Sequence, residues 1–235
     1  MTKNSNIKAI FFDFGGCIDG NGIHTRTRFL TGFTQNKSIE GIARERFQDA
    51  YTFADEKILK EKLCVHMNLY EMNLVMTKLI CEDLKLEISY DKISTISQSI
   101  SNAQSESIKT STTTIEKLAR NYTLGIISNF SGNLEIILEE FNIKQYFTHI
   151  FDSFHVGYLK PDIRLFNIAT DSWISKNDGS HSEMYFIGDN SDRDVAPAKS
   201  LGMHTILIHE PGKKKDCAAD FYIERFEELE NIFVQ

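Results

Sequence analysis

The residues that could do chemistry in this sequence stand at the ends of apolar runs. Asp13 follows Ile10-Phe11-Phe12 and precedes Gly15 and Gly16. Ser128 and Asn129 follow Leu124-Gly125-Ile126-Ile127. Asp189 follows Tyr185-Phe186-Ile187-Gly188, with Asp194 a few residues on, and Lys160 stands before Pro161 in a polar stretch. Singly, each has an ordinary structural role. An Asp after a strand is often a turn residue or a helix cap. Ser128 could cap a helix, Lys160 could be solvated, and Asp189 and Asp194 could serve a helix N-terminus. Together they put three carboxylates, a hydroxyl and an ammonium beyond the ends of buried strands. In an open parallel sheet those ends converge on one crevice.

Three carboxylates in one crevice repel each other and raise each other's pKa values. A hard divalent cation relieves that repulsion, and oxygen ligands suit Mg²⁺. A carboxylate that attacks a phosphoryl group approaches an anion. The cation and Lys160 would neutralise that charge, while the Ser128 hydroxyl and nearby backbone N–H groups would bind phosphoryl oxygens. Such an attack gives an aspartyl-phosphate.

The elements that must hold these groups follow from periodicity. Residues 7 to 13 read as a strand buried on both faces, because the apolar run does not alternate. From about Gly22 to Ser107 the spacing is helical. Phe47, Tyr51 and Ala54 share one face, as do Leu69, Met72, Val75, Met76 and Leu79, and then Ile93, Ile96 and Ile100. This region predicts three to five helices. After Ser107 strand and helix alternate. Thr110 to Thr114 suggests the cap of a short helix over 115–121, and Pro161 suits the first turn of a helix. The predicted fold is α/β: a doubly wound parallel sheet with an inserted helical domain. The core takes residues 1–20 and 107–235, and the insert takes 21–106.

The chain has 235 residues, 41% hydrophobic and 25% charged, which is ordinary for a globular protein. A net charge of −7 argues against nucleic acid as the main partner. No stretch is apolar enough to span a membrane. The start of the chain has no signal-peptide layout, which points to the cytoplasm. Cys17, Cys64, Cys81 and Cys217 form no CxxC pair and read as reduced, mostly buried thiols. Lys213-Lys214-Lys215 reads as an exposed loop, and His204 and His209 as packing or capping residues.

Four segments, in order, resemble the motifs of the haloacid dehalogenase (HAD) superfamily of hydrolases. They are 12–18 (FDFGGCI), 126–129 (IISN), 156–162 (VGYLKPD) and 188–194 (GDNSDRD), the last followed by 198–203 (AKSLGM). The resemblance covers most of residues 107 to 210, and the insert resembles the superfamily's cap between its first two motifs. It implies a Rossmann-like core and an Mg²⁺-dependent hydrolase with Asp13 as nucleophile. Ser128 would bind the phosphoryl group, with Asn129 beside it, and Lys160 would hold the charge of both. Asp13, Asp189, Asp194 and the backbone carbonyl of Gly15 would hold the metal, with Asp192 as a lesser candidate for the place of Asp194.

One position departs from that pattern. Most phosphatases of the superfamily carry a second Asp two residues after the nucleophile, and here that residue is Gly15. A positioned acid/base contributes about 10²- to 10⁴-fold. Its absence points to good leaving groups, such as aryl, acyl or anomeric phosphates. Asp19 and His24 are nearby substitutes, though a turn residue and a hinge residue are their plainer roles. The expected substrate is a small phosphorylated metabolite. The alternatives are a phosphonatase-like or other non-phosphatase hydrolase, and a feebly active relative that binds a ligand or a protein. An imine-forming lysine for phosphonate chemistry would have to come from Lys37, Lys57, Lys60, Lys62, Lys78, Lys85 or Lys92. Phe29, Phe33 and Phe53 are candidates to line a substrate pocket, while Trp173 and the other phenylalanines are mostly core.

Overall fold

The structure is a computed structural model that describes residues 6–212 and 218–234. The lysine run 213–215 and Cys217 lie outside the described residues. Six strands form one parallel sheet: β1 (Ala9–Phe12), β2 (Thr123–Ser128), β3 (His149–Asp152), β4 (Met184–Gly188), β5 (His204–Ile208) and β6 (Phe221–Ile223). Their order is β3-β2-β1-β4-β5-β6, so the chain leaves β1 towards one edge and later returns to its other side. A sheet of this order opens a crevice beyond the strand ends beside β1.

The apolar runs make sense as strands covered on both faces. Ile10, Phe12, Leu124, Ile126, Tyr185 and Ile187 enter one hydrophobic cluster. Ala9, Phe11, Ile127, Met184 and Phe186, which alternate with them along the strands, enter another. The first face is covered by α5 (Leu134–Glu140) and α9 (Leu229–Phe233), the second by α7 (Ile163–Asn177) and α8 (Ala196–Ser200). A short α6 (Ser153–Val156) follows β3. Pro161 does not enter α7. Asp162 caps that helix by accepting from Arg164 N at 3.0 Å, so Pro161 lies one residue outside the cap.

Four helices lie between β1 and β2: α1 (Thr25–Gln35), α2 (Arg44–Glu61), α3 (Leu69–Leu84) and α4 (Tyr90–Ala119). They share a core of their own, built on Phe29, Phe33, Phe47, Tyr51, Met76, Ile80, Ile96 and Ile100. Asn68 and Glu71 close a reciprocal capping box at the start of α3.

The short helix expected over 115–121, with a cap at Thr110–Thr114, does not form as a separate element. Those residues are the interior of α4, which runs unbroken for 30 residues through position 107. The hydroxyls that suggested a cap are used inside the helix: Ser107, Thr110 and Thr112 donate to the carbonyls of Ala103, Glu106 and Ile108. The apolar stripe is continuous as well. Ile96 and Ile100 pack among the inserted helices, and Ile108, Ile115 and Leu118 pack on the sheet. Among the described residues, no helix is long and apolar enough to cross a membrane.

Candidate active site

Asp13 stands immediately beyond β1, its N–H bonded to Ile187 O of β4 at 2.8 Å. Its Oδ1 accepts from Phe14 N at 2.7 Å, capping a tight turn over Phe14–Ile18. Ser128, the last residue of β2, donates to the same oxygen at 2.7 Å. Lys160 Nζ lies 2.9 Å from Asp13 Oδ1 and 2.6 Å from Asp194 Oδ1. Ligand oxygens of Asp13, Asp189 and Asp194 all lie within 4.8 Å of one another, and all three side chains are buried. Asp192 is exposed and outside this cluster.

Two glycines make room for the carboxylates. A Cβ at Gly16, whose φ is +79°, would collide with Asp189, and a Cβ at Gly188 would collide with Asp194. Gly15 lines the crevice beside Asp13. Asn129 makes two bonds to one neighbour. Its Nδ2 donates to Lys160 O at 3.0 Å and its Oδ1 accepts from Lys160 N at 2.6 Å. Both ends of the amide therefore hold the Lys160 backbone, which aims the ammonium.

The electrostatics follow from burial. Burial, then the charge of Asp13, pushes the Asp194 carboxyl up to about 6 against the pull of Lys160. Burial alone would lower Lys160, but Asp13 and Asp194 outweigh it and hold the ammonium firmly charged. Burial and the neighbouring acids raise the Cys17 thiol well above its ordinary value, so it is an inert packing group. Three buried carboxylates against one ammonium leave an excess of negative charge in an all-oxygen site. That donor set fits a hard divalent cation.

The cluster forms the floor of a cavity of about 340 Å³ walled by α1, α2 and α3. Phe29, Ile58, Leu59, Met72 and Met76 supply its apolar wall. Of the three aromatics expected to line a pocket, only Phe29 does so. Phe33 is enclosed in the core of the inserted helices, and Phe53 is exposed. Among the described residues Lys160 is the one lysine of the lining. His24 also lines it, and its Nδ1 caps α1 by accepting from Arg26 N at 3.1 Å. Asp19 is buried in the turn after Asp13 and accepts from Gly16 N at 2.6 Å.

The cavity wall contains polar residues that motif reasoning passes over: Arg26, Tyr51, Asp55, Asn73 and Arg193. For Asn73 a signal existed, since it interrupts the apolar face between Met72 and Met76. His204 stacks on Tyr185, and His209 Nδ1 lies 3.0 Å from Glu210 O, so both pack within the sheet region.

A doubly wound sheet with this carboxylate cluster at its switch point and a helical insert above it defines a Rossmann-like α/β protein with a candidate site where such folds bind ligands. The chain belongs to the haloacid dehalogenase-like hydrolase family, whose sequence profile matches residues 37–208. Haloacid dehalogenase-like hydrolase domain-containing protein 3 of Bos taurus is 34% identical over 93 residues, 39% of this chain and 35% of that protein. Rhythmically expressed gene 2 protein of Drosophila melanogaster is 36% identical over 87 residues, 37% of this chain and 33% of that one. The chain thus matches about a third of the length of these relatives.

Solved structures match over nearly the whole chain. A HAD phosphatase from Thermococcus onnurineus has a TM-score of 0.58 at 20% identity, covering 97% of this chain and 98% of that one. A HAD-hydrolase from Bacillus subtilis bound to magnesium has 0.60 at 17%, covering 97% and 99%. A dehalogenase in an intermediate complex has 0.65 at 15%, covering all of both chains. At these identities the likeness is one of fold.

Proposed function

We propose that this chain is an Mg²⁺-dependent hydrolase of a small phosphomonoester, with Asp13 as nucleophile. The observation that carries the reading is Lys160 Nζ bridging Asp13 and Asp194 beneath the cavity, with Asp189 completing a cluster of three carboxylates. In this reading a carboxylate oxygen of Asp13 attacks phosphorus, the ester P–O bond breaks, and the departing oxygen takes a proton from water. Water then attacks the phosphorus of the aspartyl-phosphate, which frees Asp13 and inorganic phosphate. Lys160 balances the charge of Asp13 and of the phosphoryl group. The Ser128 hydroxyl holds Asp13 in the free protein and turns to a phosphoryl oxygen when substrate enters. Asp13, Asp189, Asp194 and the Gly15 carbonyl would hold Mg²⁺, whose chemistry there is neutralisation of the phosphoryl charge. Residues 21–106 act as a cap that excludes water from the first step.

Two related chemistries have less support. A phosphonate-cleaving imine needs a second lysine in the cavity, and the lining offers Lys160 alone among the described residues. A dehalogenase mechanism leaves the negative excess of Asp189 and Asp194 without a purpose. The test is a panel of phosphorylated metabolites with and without chelator, using Asp13→Asn as control. Turnover should require Mg²⁺ and fall to background in the variant. Turnover that survives Asp13→Asn refutes the mechanism. Binding of ligand without turnover favours a binding module.

A further inference from the structure

A buried amide in the cavity wall has an unused acceptor. Asn73, on α3, is 1% exposed and lines the cavity above Asp13. Its Nδ2 donates to Ser101 Oγ at 2.9 Å and to Gln104 Oε1 at 2.7 Å, both on α4. Its Oδ1 is buried and accepts no hydrogen bond among the described residues. Buried amide oxygens are rarely left in that state, because folding has stripped their water without replacing it.

The direction of this amide is dictated from outside the cavity. Asp19 Oδ1 accepts from Gly16 N, and its Oδ2 accepts from Gln104 Nε2 at 2.7 Å. A carboxylate facing a side-chain amide demands the NH₂ end, so Gln104 must turn its oxygen towards Asn73. Burial raises the Asp19 carboxyl above its ordinary value, while Arg28 and the bonds from Gly16 N and Gln104 Nε2 oppose that rise; the two bonds are those of an accepting carboxylate. The Ser101 hydroxyl spends its proton on Ser97 O at 2.8 Å, so it too faces Asn73 as an acceptor. Two acceptors on one side require the Asn73 NH₂ there. Its oxygen is left on the other side of the amide, buried in the wall that Asn73 shares with the cavity. Turning the amide over would set oxygen against oxygen twice.

A second polar atom in the same wall is complementary. Arg26 Nε is a buried donor with no acceptor among the described residues. The wall therefore holds one donor and one acceptor without a partner among the described residues, and a ligand carrying hydroxyl groups can supply either. Met72 and Met76, the cavity neighbours of Asn73 on α3, would pack on carbon.

We propose that Asn73 is a specificity-determining residue whose Oδ1 accepts a hydrogen bond from a hydroxyl on the leaving group. The substrates are then phosphomonoesters of small hydroxylated molecules. Gln104 and Asp19 are positioning residues that act through Asn73. The assignment rests on reading the cavity as the substrate site.

The test is isothermal titration of the full chain carrying Asp13→Asn, in Mg²⁺, so that probes stay uncleaved. The probes are sn-glycerol 3-phosphate and n-propyl phosphate, which share a carbon skeleton and differ in hydroxyls. The glycerol ester should bind at least ~10-fold tighter, as expected of a site built to pair a hydroxyl. Asn73→Leu should bring the ratio of dissociation constants close to one. Gln104→Met, at a position outside the cavity lining, should also reduce the ratio by freeing the amide to turn, and it serves if Asn73→Leu fails to fold. Equal constants in the parent, a ratio unmoved by either substitution, or binding of neither probe overturns the assignment. Hydrolysis of p-nitrophenyl phosphate by the wild type, lost in Asp13→Asn, separates the two readings. Hydrolysis without hydroxyl preference sinks only the role of Asn73. Preference without hydrolysis of any phosphomonoester sinks only the hydrolytic reading.

Discussion

At residue 15 the chain gives up a carboxylate, although the backbone there would accept one. Gly15 has φ −69° and ψ 121°, a conformation open to any residue. A Cβ would lie 3.2 Å from Thr25 Oγ1, a crowding that Thr25→Ala relieves. In the proposed phosphomonoester hydrolysis, the lack of an acid at this position would leave departure of an alkoxide unassisted, so aryl phosphates should turn over much faster than simple alkyl ones. Gly15→Asp with Thr25→Ala should then raise alkyl phosphate turnover by about 10²-fold or more, the low end of what a positioned acid supplies. Aryl turnover should gain far less. Equal gains on both esters, or none on the alkyl ester, would sink the idea that Gly15 sets the leaving group.

Asp194 carries a second residue-scale consequence. Its carboxyl is pushed up to about 6 by burial, with Asp13 adding and Lys160 opposing. A folded pKa above the unfolded one means that the native state binds the extra proton. The stabilisation is complete below the unfolded value of 3.8 and is lost as pH rises through about 6. In chelator, the urea midpoint of the wild type should therefore rise relative to that of Asp194→Asn as pH falls from 7 towards 4. The difference between the two proteins cancels the carboxylates remote from Asp194 and leaves the response of Asp194 together with Asp13 and Lys160, whose charges act on it. A wild type that loses ground over that window would contradict the burial argument.

The elements differ in how far the sequence alone discloses them, and the reason is physical. Strands such as Ile10-Phe11-Phe12 are covered on both faces, so their apolar character is unbroken and their ends are visible. The groups at those ends, Asp13, Ser128 and Asp189, were legible for the same reason. The extent of α4 was not. Its buried face carries Ser97, Ser101, Gln104, Ser111 and Thr114, all under 4% exposed, and a hydroxyl-rich stretch resembles a helix start. Ser97 and Ser101 bond back to the preceding turn, while Ser111 and Thr114 bond outward to Ile18 O and Glu230 Oε1; either way the helix stays intact and the usual sign of its continuity is erased. The polar breaks at Asn73 and Gln104 were visible as residues. Their partnership was not, because 31 positions separate them and only the packing of α3 on α4 brings them together.

The continuity of α4 bears on how the whole molecule unfolds. The inserted helices have their own core around Phe29, Phe47 and Ile80, and alone that would suggest two independently melting parts. Yet α4 packs Ile96 and Ile100 into that core and Ile108, Ile115 and Leu118 into the core on the sheet. Further ties run between the two regions. Gln104 donates to Asp19, Ser111 Oγ to Ile18 O at 3.1 Å, Asn133 Nδ2 to Met67 O at 2.9 Å, and Leu69 N to Glu140 Oε2 at 3.0 Å. A rigid helix shared by two cores forbids melting one while the other keeps its packing. Nature supplies a reporter for each part. Trp173, the one tryptophan, is buried on the face of the sheet opposite α4, while α1–α4 hold most of the helix seen at 222 nm. In the wild type the two signals should give coincident urea transitions, the signature of a single cooperative step. Lys109 is exposed near the point where α4 passes from one core to the other, so Lys109→Pro breaks the helix without removing a packed side chain. It should cost about 3 kcal/mol or more and separate the transitions, the helical signal failing first. Separate transitions in the wild type, or coincident ones in a destabilised Lys109→Pro, would show that α4 is not the coupling.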